Sequence, residues 1–100
     1  MESERIKVLA SKYFAKTVEF RRHIHAHPEL SYQEYETAKY VAEQLKAMGL
    51  NPTVGVAETG VTALIEGKNP GKKVIALRGD MDALPILEEN DVPYRSQNEG

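Results

Sequence analysis

At Asn51 the apolar rhythm of this chain changes, and that change limits the fold more than any other feature. Before it, hydrophobic residues recur every three or four positions. After it, they come in short runs broken by glycine and proline. The first pattern lines one face of a helix and the second belongs to strands. Ile6, Leu9, Tyr13, Phe14, Thr17, Phe20 and Ile24 predict an amphipathic helix over residues 3–27. Ser3 is its expected N-cap, and Pro28 ends it, because the residue before a proline is pushed out of the α region. Ala38, Val41, Ala42, Leu45 and Met48 form the stripe of a second helix. The run Ser-Tyr-Gln-Glu reads as a capping box, with Ser31 at the N-cap and Glu34 reaching back. Gly49 sits where a left-handed residue closes a helix, with Leu50 packing back on the last turn.

Beyond Asn51, Thr53, Val54 and Val56 predict a strand that runs into a turn, and VTALIEG predicts another strand. KNPGKK is a turn in which Pro70-Gly71 suits a type II bend. VIALR, residues 74–78, is a short continuous apolar run of the kind buried on both faces of a sheet. The expected fold class is α/β, with two N-terminal helices packed on a mixed β-sheet. No repeat, low-complexity tract or interdomain linker interrupts the chain. Its end, NDVPYRSQNEG, is polar and loop-like, and it reads as the front of something longer.

Composition excludes several functions. With 41% hydrophobic and 28% charged residues, the chain is ordinary soluble globular material and not a disordered one. A net charge of −2 offers no electrostatic footprint for nucleic acid or an anionic membrane. No apolar run approaches the roughly 20 residues that a membrane helix needs. The charged start, MESERIKVLASKYF, lacks the apolar stretch of a secretory signal, so the cytoplasm is the default address. There is no cysteine, hence no disulfide framework and no thiolate metal site in these residues.

The chemistry-bearing residues lie in two places. The first is GDMDALP, where Asp80 and Asp82 follow directly on the apolar run 74–78. Ligands in open α/β sheets bind beyond the carboxyl ends of strands. In extended backbone the two carboxylates share a face. Paired carboxylates need a cation, a hydrogen-bond donor or water. Three readings fit the pair alone. One is a solvated turn with Arg78 or a lysine as partner. Another is a magnesium site for phosphoryl transfer, as in phosphatases of the haloacid-dehalogenase type. However, those carry the motif near the N-terminus, followed by a small residue and Thr or Val. The third is a zinc hydrolase in which an aspartate orients a metal-bound histidine. The second place is RRHIHAHPEL, with His23 and His27 one helical turn apart and His25 on another face. Histidines in a last helical turn interact well with the helix dipole, and no carboxylate follows in H-E-x-x-H order. A structural role for His25, tied to Arg22 and Glu29, is the expectation there.

Taken together, RRHIHAHPELSYQEYETAKYVAEQLKAMGL, ETGVTALIEG and GKKVIALRGDMDALPILE closely resemble the N-terminal region of a family of zinc-dependent peptidases and amidohydrolases. The family includes aminoacylases, hippurate hydrolases, auxin-conjugate hydrolases, N-acetyldiaminopimelate deacetylases and related carboxypeptidases. The resemblance runs from about Phe20 to Gly100. It rests on Arg21-Arg22, His25, Pro28-Glu29-Leu30, Glu34, Thr37, Leu45, Gly49, Thr59-Gly60 and the run from Arg78 to Pro85.

The resemblance implies that residues 1–100 are the N-terminal portion of a metallopeptidase-like catalytic domain, without the rest of that domain or the lid and dimerisation domain. It implies hydrolysis of the amide bond of N-acyl amino acids or short peptides. It also implies two divalent ions, usually zinc, and a complete enzyme that can be a homo-oligomer. In the wider superfamily a His-x-Asp pair ends this strand. Asp82 matches the aspartate, Asp80 stands in the histidine's place, and the two are the expected catalytic-site residues. The metal ligands are expected beyond Gly100, so these residues alone should be inactive. The alternative is a non-catalytic short form that serves as a binding or regulatory module.

Overall fold

A computed structural model describes residues 2–69, 71–85, 89 and 91–97. It contains two helices, α1 (Glu2–Ala26) and α2 (Tyr35–Ala47), and two strands, β1 (Thr53–Val56) and β2 (Gly60–Thr62). The chain divides into two compact units, one of Met1–Pro28 with Pro85–Gly100 and the other of Glu29–Leu84.

In the first unit, α1 ends at Ala26, two residues short of Pro28, as the sequence implies. Its start differs from expectation. Ser3 lies inside the helix and not at its cap, and Glu2 and Glu4 place negative charge in the first turn, where the helix dipole favours it. The apolar stripe is only partly covered. Phe20 and Ile24 are half-buried, whereas Ile6, Tyr13 and Phe14 are exposed. The covered end meets residues 92–97. Gln97 N–H donates to the Ala26 carbonyl at 2.7 Å, and the Arg22 guanidinium lies 4.2 Å from the centre of the Tyr94 ring. A cation over an aromatic face is attracted by its quadrupole.

The second unit is built on α2, whose Thr37, Ala38 and Ala42 are buried and which packs against both strands. Its C-terminus follows the sequence reading. Gly49 adopts φ +87°, Leu50 N–H donates to the Leu45 carbonyl and Gly49 N–H to the Lys46 carbonyl, both at 3.0 Å. These two bonds make a Schellman motif. The N-terminus does not follow it. The helix starts at Tyr35, and Glu34 in the N-cap position makes no side-chain capping bond. Ser31 is too early to cap, because residues 30–33 form a turn closed by Gln33 N–H donating to the Leu30 carbonyl. The acceptor comes from outside the expected box. The Glu29 carboxylate receives the Glu36 N–H at 3.2 Å and the Thr37 N–H at 2.6 Å.

Strands β1 and β2 pair antiparallel, Thr53 with Thr62 and Val56 with Gly60, with an irregularity between. Ala57 and Glu58 in the connecting turn both have positive φ, +48° and +76°. Gly60 is required at the turn's exit, because a Cβ there would collide with the Val56 carbonyl oxygen. The strand expected over 61–67 stops at Thr62, and residues 74–78 join no ladder among the described residues. The apolar run is consequently not buried on two faces: Val74 is 83% and Leu77 97% exposed. A strand is held by its neighbour's backbone, and local apolar sequence does not supply one. The turn at 69–72 is present, closed by Lys72 N–H donating to the Asn69 carbonyl at 3.1 Å. Its expected type rests on Pro70, which lies outside the described residues.

Replacing Gly49 with alanine leaves the packing untouched, since a Cβ there meets nothing, but forces a side chain into the left-handed region. The expected outcome is a loss of about 1 kcal/mol of stability, measured by denaturant unfolding.

Candidate functional site

Three short segments of the second unit meet around a concavity of about 430 Å3. One is the turn before α2, with Ser31, Tyr32 and Glu34. Another is the β1–β2 turn, with Ala57, Thr59 and Gly60. The third is Arg78–Asp82. The two aspartates singled out by the sequence therefore line one surface, and both are exposed.

Each wall is set by a local feature. Tyr32 adopts φ +64°, which reverses the chain ahead of α2. Gly60 lets the β1–β2 turn close on Val56. Among the described residues the third wall has neither helix nor ladder. It is held by Ala83, whose N–H donates to the Glu29 carbonyl at 2.9 Å. Between the first two walls lies a buried cross-link. The Thr59 hydroxyl donates to Glu34 Oε1 at 3.2 Å, with Glu34 8% and Thr59 6% exposed. Sequence reading assigned Glu34 to a capping box and so missed this role. Its signal was present in the resemblance, where Glu34 and Thr59-Gly60 stand among the matching positions.

The electrostatics are those of three carboxyl groups and one guanidinium. Arg78 Nη2 lies 3.4 Å from Asp80 Oδ1, and both side chains are largely in solvent. An ion pair so exposed contributes little. The solvated reading of the motif thus describes Asp80, which has Arg78 as its partner. Oxygen donors of this kind suit a hard cation or an N–H donor. Among the described residues, no three His, Cys, Asp or Glu side chains gather into a set that could hold a metal ion.

The histidines fall in the first unit. His23 and His27 come together as their spacing implies, with ring centroids 4.7 Å apart and His27 Nδ1 3.0 Å from the His23 carbonyl oxygen. His25 meets the Tyr94 ring edge-on at 6.2 Å. Arg22 and His25 both contact Tyr94, and the Glu29 carboxylate is committed to α2. Burial pushes the His23 pKa below 6.5, the neighbouring His27 charge adds to the shift, and Glu19 opposes it.

No family model matches the chain. Among solved structures, the chain is similar to the Bacillus subtilis YXEP protein, a dinuclear metal binding peptidase from the M20 family. The TM-score is 0.77 with 40% identity, over 90% of this chain and 25% of that one. The α/β fold described above is thus that of part of an M20 peptidase. Among curated proteins, the chain is 45% identical over 100 residues to the N-acyl-L-amino acid amidohydrolase of Geobacillus stearothermophilus. That match takes in 100% of this chain and 27% of the relative. It is also 53% identical over 79 residues to an uncharacterized hydrolase of Staphylococcus aureus strain USA300, which is 79% of this chain and 20% of that protein. The chain spans about a quarter of the length of these relatives. The resemblance read from the sequence agrees with these likenesses: the relatives carry the names hydrolase and amidohydrolase, and the similar solved structure is an M20 family peptidase. Among the described residues no helix is long and apolar enough to cross a membrane.

Two outcomes follow from this geometry. Thr59→Val removes the donor to a buried carboxyl group and should cost about 1–3 kcal/mol in denaturant unfolding, with Thr59→Ser retaining most of the stability. For His23 the folded state disfavours the proton relative to the unfolded chain. Stability should therefore fall as pH drops below 6.5 toward the lowered folded value. His23→Gln should flatten that dependence in thermal melts at pH 5.5 and 7.5, set on either side of the reference value by about one unit.

Proposed function

We propose that these 100 residues are the N-terminal portion of the catalytic domain of a metal-dependent amidohydrolase that cleaves the amide bond of N-acyl amino acids or short peptides. The observation that carries the reading is the placement of Asp80 and Asp82. They lie directly after the apolar run 74–78 and line a concavity, in a chain whose fold matches a dinuclear metal binding peptidase. The name of the Geobacillus stearothermophilus relative supports N-acyl amino acids as the substrate class.

On this reading the active site is completed by residues outside the described set, including the ligands of two divalent ions, zinc by family resemblance. A divalent ion supplies Lewis-acid polarisation and an activated water when bound. What this chain contributes is carboxylates on a shaped wall. Asp82 is exposed where it lines the concavity and has no ion pair within the described residues. Its proposed task is to accept a hydrogen bond from a histidine and hold that ring's orientation and tautomer. Asp80, paired with Arg78, adds a second carboxylate beside it. The buried Glu34–Thr59 bond keeps the opposite wall fixed. The 100 residues alone are proposed to be inactive, and the complete enzyme cytoplasmic.

Asp82→Ala tests the reading in the full-length protein, with hydrolysis of an N-acetyl amino acid as the assay. Because Asp82 is exposed, the variant should fold as the parent does. Loss of a residue that orients a metal ligand is expected to lower kcat about 10- to 100-fold. Unchanged kcat would remove Asp82 from the active site.

A further inference from the structure

We infer that Glu29 is the positioning residue for the Asp80–Asp82 segment, acting through its main chain on one side and its carboxylate on the other. The inference rests on the reading of Asp82 as an active-site residue.

The segment after residue 78 has no ladder and no helix to hold it among the described residues. Asp80 has an ion pair with Arg78, but Arg78 is only two residues upstream on the same exposed stretch, so the pair does not anchor the segment to the rest of the unit. The bond that ties the segment to the rest of its unit follows immediately on Asp82. It is the Ala83 N–H donating to the Glu29 carbonyl at 2.9 Å. Where the Asp82 carboxylate stands therefore depends on where the Glu29 peptide stands.

That peptide is fixed by its own side chain. The Glu29 carboxylate accepts the N–H groups of Glu36 and Thr37 in the first turn of α2. Thr37 is buried and α2 packs on both strands, so this end of the helix is a firm point. A helix needing only a cap is served by a short side chain at the N-cap residue itself. Here Glu34 occupies that position, makes no capping bond, and points to Thr59 instead. The acceptor is drawn from seven and eight residues upstream, which closes the 29–37 loop onto the helix. A local cap would leave residue 29 free to move. The remote one converts the order of α2 into the order of the segment that carries Asp82.

The test uses the full-length protein and reads two quantities. The first is amide hydrogen exchange at Ala83, Glu36 and Thr37 in Glu29→Ala and in Glu29→Gln, which keeps one acceptor oxygen. Lys39→Gly is the control, since it weakens the same helix at an exposed position. Glu29→Ala should speed exchange at Ala83 roughly five- to tenfold, the size of a lost cap, with Glu29→Gln between it and the parent. Lys39→Gly should leave Ala83 within about twofold of the parent, since its own cost is confined to the helix. Faster exchange at Glu36 and Thr37 with Ala83 unchanged would overturn the inference, as would equal effects of Glu29→Ala and Lys39→Gly on Ala83. Should Glu29→Ala fail to fold, Glu29→Gln carries the same comparison.

The second quantity is the split of kcat from KM. Misplacement of a catalytic group lowers kcat, so Glu29→Ala should cut it about tenfold or more with KM little changed. If Asp82→Ala is impaired while Glu29→Ala speeds Ala83 exchange without lowering kcat, the positioning role is overturned and the active-site reading stands. If Asp82→Ala retains full activity, the active-site reading fails. Ala83 exchange then still decides whether Glu29 holds the segment.

Discussion

The first turn of α2 presents backbone N–H groups that no carbonyl inside the helix can accept. How those donors are satisfied organises the whole unit of residues 29–84. Glu29 takes two of them, and a carboxylate at a helix N-terminus gains from the dipole as well. With that demand met from upstream, Glu34 is released from capping and turns to Thr59. The same side-chain assignment thus fixes the loop before the helix, ties the helix start to the β1–β2 turn, and leaves the Glu29 carbonyl to receive Ala83. Three walls of one concavity follow from a single choice of acceptor.

The walls carry a conformational cost. Tyr32, Ala57 and Glu58 all adopt positive φ without being glycine, and all three lie in the turns that shape the concavity. Each such residue costs of order 1–3 kcal/mol, and strain of this kind persists where the surroundings over-determine it. Here the surroundings are the buried Glu34–Thr59 bond and the close approach of Gly60 to Val56. Their clustering around the aspartate-bearing segment agrees with a site whose shape matters more than its local comfort.

What could be read from the sequence was what is decided locally. The α1 stop before Pro28, the α2 stripe and the closure by Gly49 and Leu50 depend on residues within a few positions of one another, and all three are present. The approach of the His23 and His27 rings is likewise a matter of helical spacing. The capping box failed because Ser31 and Glu34 compete with a better acceptor, Glu29, that a short pattern does not include. The strand over 74–78 failed for a related reason. Its apolar residues describe a burial that only a neighbouring strand can provide, and Ile75 and Leu77 stay exposed among the described residues. Asp80 and Asp82 were legible as a pair. That they share a concavity with Glu34 was not, because it takes the tertiary fold to bring those segments together.

The run ahead of the aspartates is exposed among the described residues, and the chain spans about a quarter of the length of its relatives. The central claim is that this run delivers Asp82 to a metal-dependent active site. Its most direct measurement is a crystal structure of the full-length protein with divalent metal bound, the ions located by anomalous scattering. The expected result is the Asp82 carboxylate hydrogen-bonded to a residue that ligates one of those ions. An Asp82 side chain in bulk solvent, remote from every metal and every ligand, would contradict it.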